Sequence, residues 1–392
     1  MNIIKKHLIN TLIILFIIAL PLLVSGCADT SYNTPVSTPD VVKIVFVSPT
    51  EGINAREGIP AGNAFALAVK QANDSETFPY HIEVIFIDET DDVIATTAAL
   101  NEVLHGGDIS AVCGYWYSEN ANNAIVALRS KKVPLIIWGA VAQELTTPKF
   151  MPYVTRICPV TEQENEMLYN FSEQIVQGDE WFIIYDNSFY GMTNYNKFQS
   201  LLLENNKTII GSLMLNADEK ADYTALANTV RKATPDAIYY GGTTSHLPAL
   251  REAFYVANVA YIPFFCLSGT LTEPLSESPK NVVGGIHTVG YAINANQKWG
   301  TAFTQAYLNA NYEEPLGIFT GYAYDAAGII LLAIKSCGEI PTPQKIAEAI
   351  ANIQYDGLLS SISFDEKGQA KDYYGMYRIF TMKNNIWTEE NP

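Results

Sequence analysis

The chain has 392 residues, 41 of them acidic against 24 basic, with a formal charge of −17. That balance repels nucleic acid, and no basic cluster offsets it. The length exceeds what one hydrophobic core usually supports, so two lobes are expected.

In chain order, the first feature is Lys5-Lys6, an apolar run from Leu12 to Val24, and then Ser25-Gly26-Cys27. Basic residues, a short apolar core and a small-residue site predict a signal peptide over 1–26. Cys27 stands where the lipidated cysteine of a bacterial-type lipoprotein stands; an uncleaved anchor is the alternative. Either way the remainder is expected outside the cytoplasm, held at the cell membrane. Losing Lys5 and Lys6 leaves 22 basic against 41 acidic residues. Charge alone would then not dock the protein on anionic lipid, so the lipid on Cys27 would have to hold it. Residues 27–40 are rich in Ser, Thr and Pro and read as a flexible tether.

Apolar, β-branched runs then alternate with helical patterns. Strands are predicted over Val41–Val47, Ile82–Ile87, Ile109–Cys113 and Pro134–Trp138, with helices over Ala61–Ala72, Ile94–Leu104 and Ala121–Ser130. The pattern restarts with strands at Trp181–Tyr185, Thr208–Met214, Ala237–Tyr240, Pro263–Leu267 and Val282–Val289. Helices Asn194–Glu204, Tyr223–Lys232 and Leu247–Val256 lie among them, and Lys298–Asn309, Gly321–Ser336 and Pro343–Asn352 follow. An antiparallel pair, Ser361–Phe364 with Tyr374–Met382, is expected around Asp365-Glu366-Lys367-Gly368. Strands apolar on both faces, alternating with helices, predict an α/β fold of two doubly wound, Rossmann-like lobes. Ligands of such sheets sit beyond the carboxyl ends of the strands.

The catalytic motifs are missing. There is no GxSxG, HExxH or phosphate loop, and no GxGxxG after a strand. His81, His105, His246 and His287 have no i, i+4 partner. Asp88-Glu89-Thr90-Asp91-Asp92 lacks the glycine and later glutamate of a calcium loop and reads as a strand-to-helix turn. Cys113, Cys158, Cys266 and Cys337 contain no CxxC pair; an oxidising compartment would allow three disulfide pairings. Cys113 and Cys266, in apolar runs, read as buried thiols. No metal or cofactor is expected, and a binding function is the natural remainder.

The strand-end motifs resemble the leucine/isoleucine/valine-binding protein family, the type I periplasmic solute-binding components of ABC transporters. The resemblance runs from Val42 to Tyr377. It is carried by Lys43-Ile44-Val45-Phe46-Val47-Ser48-Pro49, Gly58, Asp88, Gly114 with Ser118, and Val133-Pro134-Leu135-Ile136. Glu144-Leu145-Thr146, Tyr185-Asp186 with Tyr190-Gly191, Pro235-Asp236-Ala237, Tyr324-Asp325-Ala326 and Phe364-Asp365-Glu366-Lys367-Gly368 continue it in order. The family fold implies three crossings between lobes, expected near 158, 289 and 363. Lobe 1 would comprise 41–158 and 290–363, and lobe 2 would comprise 159–289 and 364–392.

The resemblance also implies a site. Ser118 would hold a ligand carboxylate, although a helix N-cap role fits it too. Gly139-Ala140-Val141 occupies a small-small-Thr strip, with its backbone open to a ligand; Val141 lacks the family hydroxyl. Tyr190 would cover the ligand or pack at the surface. Thr243 stands where an aromatic residue is frequent, and Ser268 stands where an acid neutralises an amino group. Without that acid an α-amino acid is not the safe expectation, since a buried, unpaired ammonium costs several kcal/mol. Glu57 would supply a compensating acid and Arg56 a partner for a carboxylate, or both are merely solvated. Trp116 and Trp138 are candidate walls for a flat ligand, or pack under the hinge. The expected function is that of an extracytoplasmic solute-binding lipoprotein of an ABC importer, partnered by a permease. It would capture an amino-acid-like molecule, amide or aromatic acid between closing lobes. A tethered sensor or an extracellular enzyme are the alternatives.

Overall fold

The computed structural model describes residues 40–52, 54–217, 219–271, 285–291, 298–317, 319–338, 340–358, 361–371 and 377–390. Its first sheet is parallel, in the order β2-β1-β3-β4-β5. The strands are β1 Val41–Ser48, β2 His81–Asp88, β3 Ile109–Cys113, β4 Leu135–Ile137 and β5 Val154–Arg156, with helices α1 Ala55–Asn73, α2 Val93–Gly106 and α3 Ser118–Lys131 between them. Strand β1 is buried on both faces from Ile44 to Ser48, as a central parallel strand must be.

The second sheet runs β14-β13-β10-β9-β8-β6-β7. Strands β6 Glu180–Asp186, β7 Thr208–Leu215, β8 Ala237–Tyr240, β9 Phe264–Cys266 and β10 Ile286–Tyr291 are parallel. Helices α4 Thr161–Ser172, α5 Phe189–Glu204, α6 Tyr223–Ala233 and α7 Leu247–Val256 accompany them. One face of this sheet stacks Tyr239 on Phe198 at 3.7 Å and buries Trp181; the other packs Ile184, Val230, Leu250 and Phe254.

The chain then returns to the first lobe. It adds α8 Lys298–Asn309, α9 Thr320–Ser336, which packs on α1, and α10 Pro343–Ala351. A small pair, β11 Tyr355–Asp356 with β12 Ser361–Ile362, follows. Finally β13 Tyr377–Lys383 and β14 Ile386–Glu390 close the second sheet in antiparallel register.

The fold is the expected α/β pair of Rossmann-like lobes, with four differences of detail. Helix α1 begins at Ala55, not Ala61, and takes Gly58 and Pro60 into its first turns. Gly58 is needed there, because a Cβ would lie 1.9 Å from the Pro49 carbonyl oxygen. Strand β5 and helix α4 have no counterpart in the predicted elements. The segment Ser361–Ile362 pairs with β11 rather than with the 374–382 strand, whose partners are β10 and β14. The third passage between sheets also falls after residue 363. Gln369 bridges in parallel to Arg156 at the end of the first sheet, and Phe364 bridges to Ala370 around the Asp365–Gly368 turn. The expected strand start at 282–284 lies outside the described residues, as do the leader, Cys27 and the tether up to residue 39.

Candidate ligand-binding site

A cleft with about 490 Å³ of empty space, open to solvent at its mouth, lies between the carboxyl ends of the two sheets. This is the switch-point position that open α/β sheets reserve for ligands.

The first-lobe wall is built from the loop after β3. Glu89, buried just beyond β2, accepts hydrogen bonds from the Trp116 N–H (2.7 Å), the Tyr117 N–H (2.8 Å) and Asn120 Nδ2 (3.2 Å). That carboxyl fixes the loop from behind. Trp116 then faces the cleft, edge-on to Phe319 at 4.8 Å and 79°, and the two rings form an aromatic wall. Gly139 lies beneath: a Cβ there would come within 3.2 Å of both Trp116 Cε3 and the Tyr115 carbonyl oxygen. Ser118 is the first residue of α3 and Tyr117 the N-cap, so the capping role weighed for Ser118 is not the one it takes. Its Oγ instead accepts from the Ala142 N–H at 3.2 Å. Asn54 Nδ2 donates to the Tyr117 hydroxyl at 2.9 Å, joining α1's leading edge to the wall.

The second-lobe wall is organised by buried Asp186 at the end of β6. Its Oδ2 accepts from the Thr243 N–H at 2.5 Å, and its Oδ1 from the Ser188 N–H at 3.2 Å and the Ser188 hydroxyl. Ser188 in turn caps α5 by accepting from the Gly191 N–H at 2.9 Å. This seats Tyr190, whose buried hydroxyl faces Gly269 without a hydrogen-bond partner. Burial pushes the Tyr190 phenol well up, so it stays protonated. Ser268 completes the wall, held by Glu164: its N–H reaches Oε2 at 3.1 Å and its hydroxyl reaches Oε1 at 2.8 Å. Across the lobes, Thr193 Oγ1 donates to Glu144 Oε2 at 3.0 Å.

Of the residues expected in the site, Ser118, Trp116, Gly139, Val141, Tyr190, Thr243 and Ser268 line this one cleft. Three do not. Trp138 is wholly buried, stacked on Phe46 at 5.9 Å with its indole N–H on the Val47 carbonyl at 3.0 Å; it backs the wall. Ala140 is also buried, and its carbonyl, expected to be open, accepts from Arg156 Nη1 (3.3 Å) and Cys158 Sγ (3.5 Å). Glu57 lies under Phe319, with Oε2 3.5 Å from the Phe319 nitrogen, so it supports the wall and does not enter the cleft. Arg56 is exposed and outside the lining. Sequence reasoning missed Phe319 and Asn54 in the lining, and Glu89 and Glu164 behind it.

The cleft is thus lined by hydroxyls, backbone groups and aromatic rings. Among the described residues, no cluster of His, Cys, Asp and Glu could hold a metal ion. The four described cysteines are free thiols; burial pushes Cys158 and Cys266 up to about 12.

Comparison with known proteins settles the family. A periplasmic binding protein family model matches residues 41–384. The chain belongs to the periplasmic binding protein family. A leucine-, isoleucine-, valine-, threonine- and alanine-binding protein of Pseudomonas aeruginosa is 23% identical over 336 residues, 85% of this chain and 88% of that one. A leucine-binding protein from Thermotoga maritima has the same fold, with a TM-score of 0.78 at 20% identity, covering 89% of this chain and 98% of its own. An R. palustris ABC-transporter solute-binding protein, in complex with 4-hydroxybenzoate, superposes with a TM-score of 0.76 at 15% identity, over 90% and 96% of the two chains. The expected type I fold and family are therefore borne out. Periplasmic binding proteins act outside the cytoplasm, and among the described residues no helix is long and apolar enough to cross a membrane.

Glu89 gives the wall a pH signature. Burial raises its carboxyl from the ordinary 4.5 to about 8, against the pull of the Trp116, Tyr117 and Asn120 hydrogen bonds. The folded state then keeps a proton that the unfolded chain releases near 4.5. Stability should fall as pH rises from about 4.5 to about 8 and level off above. The difference in melting temperature between the two ends of that window should shrink by a few degrees in Glu89→Gln relative to the native protein. Equal differences in both proteins would contradict the assignment.

Proposed function

We propose that this protein is the solute-binding component of an ABC importer, tethered at the membrane by a lipid on Cys27. It captures a small polar solute between its lobes and presents the closed complex to a permease. The carrying observation is that two loops bearing hydroxyls, from separate sheets, and one aromatic wall converge on a single cleft. The ligand binds first to lobe 1, its carboxylate or equivalent head on Ser118 and its apolar body against Trp116 and Phe319. Tyr190, Thr243 and Ser268 then close over it, and expulsion of water strengthens each polar contact. A micromolar complex needs only about −8 kcal/mol. A few charge-assisted hydrogen bonds and one buried apolar group supply that. The amino acids and the benzoate in the names of the relatives support a small carboxylate as the cargo. The ligand leaves unchanged, so the reading assigns no catalytic role.

Thermal-shift titration of the purified protein with leucine, phenylalanine, benzoate and 4-hydroxybenzoate tests this. At least one ligand should raise the melting temperature by a few degrees at saturation, because it binds only the folded state. Ser118→Ala and Trp116→Ala should each weaken that ligand by roughly tenfold or more, about 1.4 kcal/mol, with folding retained. Undiminished affinity in both variants would place the ligand elsewhere.

A further inference from the structure

The two serines of the cleft are not equivalent. Ser118 Oγ accepts from the Ala142 N–H at 3.2 Å, so its own proton remains available to the cleft. Ser268 Oγ gives its proton to Glu164 Oε1 at 2.8 Å, so it turns only lone pairs toward a ligand. The Ser268 N–H is committed as well, to Glu164 Oε2 at 3.1 Å. Glu164 sits in the first turn of α4, fully buried and one hydroxyl behind the cleft surface. Beside it the buried Tyr190 hydroxyl reaches no hydrogen-bond partner and lines the same end.

Building on the cleft reading above, we propose that Glu164 sets the polarity of the ligand: by taking the Ser268 proton it makes the second-lobe end an acceptor for an ammonium or amide N–H, while Ser118 donates to a carboxylate at the other end. The acid expected after β9 is therefore replaced in function by one from α4, acting through a serine. A cation at Ser268 lies one hydroxyl from the Glu164 carboxylate, in a site where charge is poorly screened. A ligand with a bare hydrocarbon at that end leaves the Ser268 lone pairs and the Tyr190 hydroxyl dry and unpaired. Sites built to bond a polar group reject the analogue that lacks it for that reason.

The test is equilibrium dialysis against an equimolar mixture of L-leucine, L-phenylalanine and their des-amino counterparts, isocaproate and hydrocinnamate, with retained compounds quantified by mass spectrometry. An amino acid should be retained over its des-amino partner by about tenfold or more. In Glu164→Gln the amide can donate to Ser268 Oγ and turn the serine proton toward the cleft, so the ratio should fall toward one. Should that variant fail to fold, Ser268→Ala removes only the acceptor and should lower the ratio likewise. Equal or preferred retention of a des-amino acid overturns the inference, as does a ratio unchanged in both variants. A des-amino acid that is retained, and lost again in Ser118→Ala, would sink this inference while the cleft reading stands. Retention of none of the four would overturn this inference, and the cleft reading falls with it only if benzoate and 4-hydroxybenzoate also fail to raise the melting temperature.

Discussion

Arg156→Met is expected to destabilise the fold by about 2–4 kcal/mol, because it breaks a buried network in which hydrogen bonds to a charged group contribute about 1.5–3 kcal/mol each and do not add fully. The guanidinium is wholly buried where the chain leaves the first sheet. Its Nε donates to Gln369 Oε1 at 2.7 Å, one Nη to the Ala140 and Ala142 carbonyls at 3.3 and 2.6 Å, and the other to Thr146 Oγ1 at 3.1 Å. One side chain thus ties the first passage between lobes to the segment before the third, and both to the strip after β4. Methionine fills similar space but takes the arginine donors from Gln369 Oε1 and Thr146 Oγ1, and leaves the Ala140 and Ala142 carbonyls only Cys158 Sγ at 3.5 Å and the Leu145 N–H at 3.3 Å. The binding site should suffer too, because the Ala142 N–H holds Ser118 Oγ. Arg156→Lys keeps the charge without the planar fork and should recover only part of the loss. Urea unfolding of the three proteins measures it; a shift worth less than about 1 kcal/mol for the methionine variant would show the network to be dispensable.

This arginine also shows where the sequence ceases to be readable. Long, doubly buried strands such as Val41–Ser48 and Glu180–Asp186 announce themselves by composition, and the two lobes follow from them. Strand β5 is three residues long and one of them is Arg156, so no apolar run marks it. Helix α4 buries Glu164 and Asn165 with its apolar residues, which blurs its pattern and hid the acid behind Ser268. Trp116 and Trp138 both stand past strand ends, where type and spacing cannot tell front from back. The structure decides it through the Trp138 indole bond to Val47. Phe319 comes from the return of the chain to lobe 1, some 200 residues after the Trp116 loop it meets, and only the topology brings them together. The hydroxyl and glycine positions were legible for the opposite reason: they sit immediately after strands that composition had already placed.

Gly191→Ala is expected to damage both stability and binding, although it adds one methyl group. A Cβ at Gly191 would lie 2.2 Å from Asp186 Oδ1 and 2.3 Å from the Asp186 carbonyl oxygen. The carbonyl belongs to the backbone at the end of β6 and cannot turn aside. The carboxylate is equally fixed, since it holds Thr243 and Ser188. The first turn of α5 must therefore retreat, and it takes Tyr190 out of the cleft wall. Overpacking of this kind costs about 1–3 kcal/mol. Affinity for whichever ligand the thermal-shift panel yields should fall by roughly tenfold or more, about 1.4 kcal/mol. Gly106→Ala, at the end of α2, is the matched control. Nothing lies within 4 Å of its Cβ, and alanine favours a helix over glycine by up to about 1 kcal/mol, so it should leave affinity unchanged and stability equal or higher. A Gly191→Ala protein that melts and binds like the control would mean that the Asp186–α5 junction yields freely, and that the position of Tyr190 is not set by it.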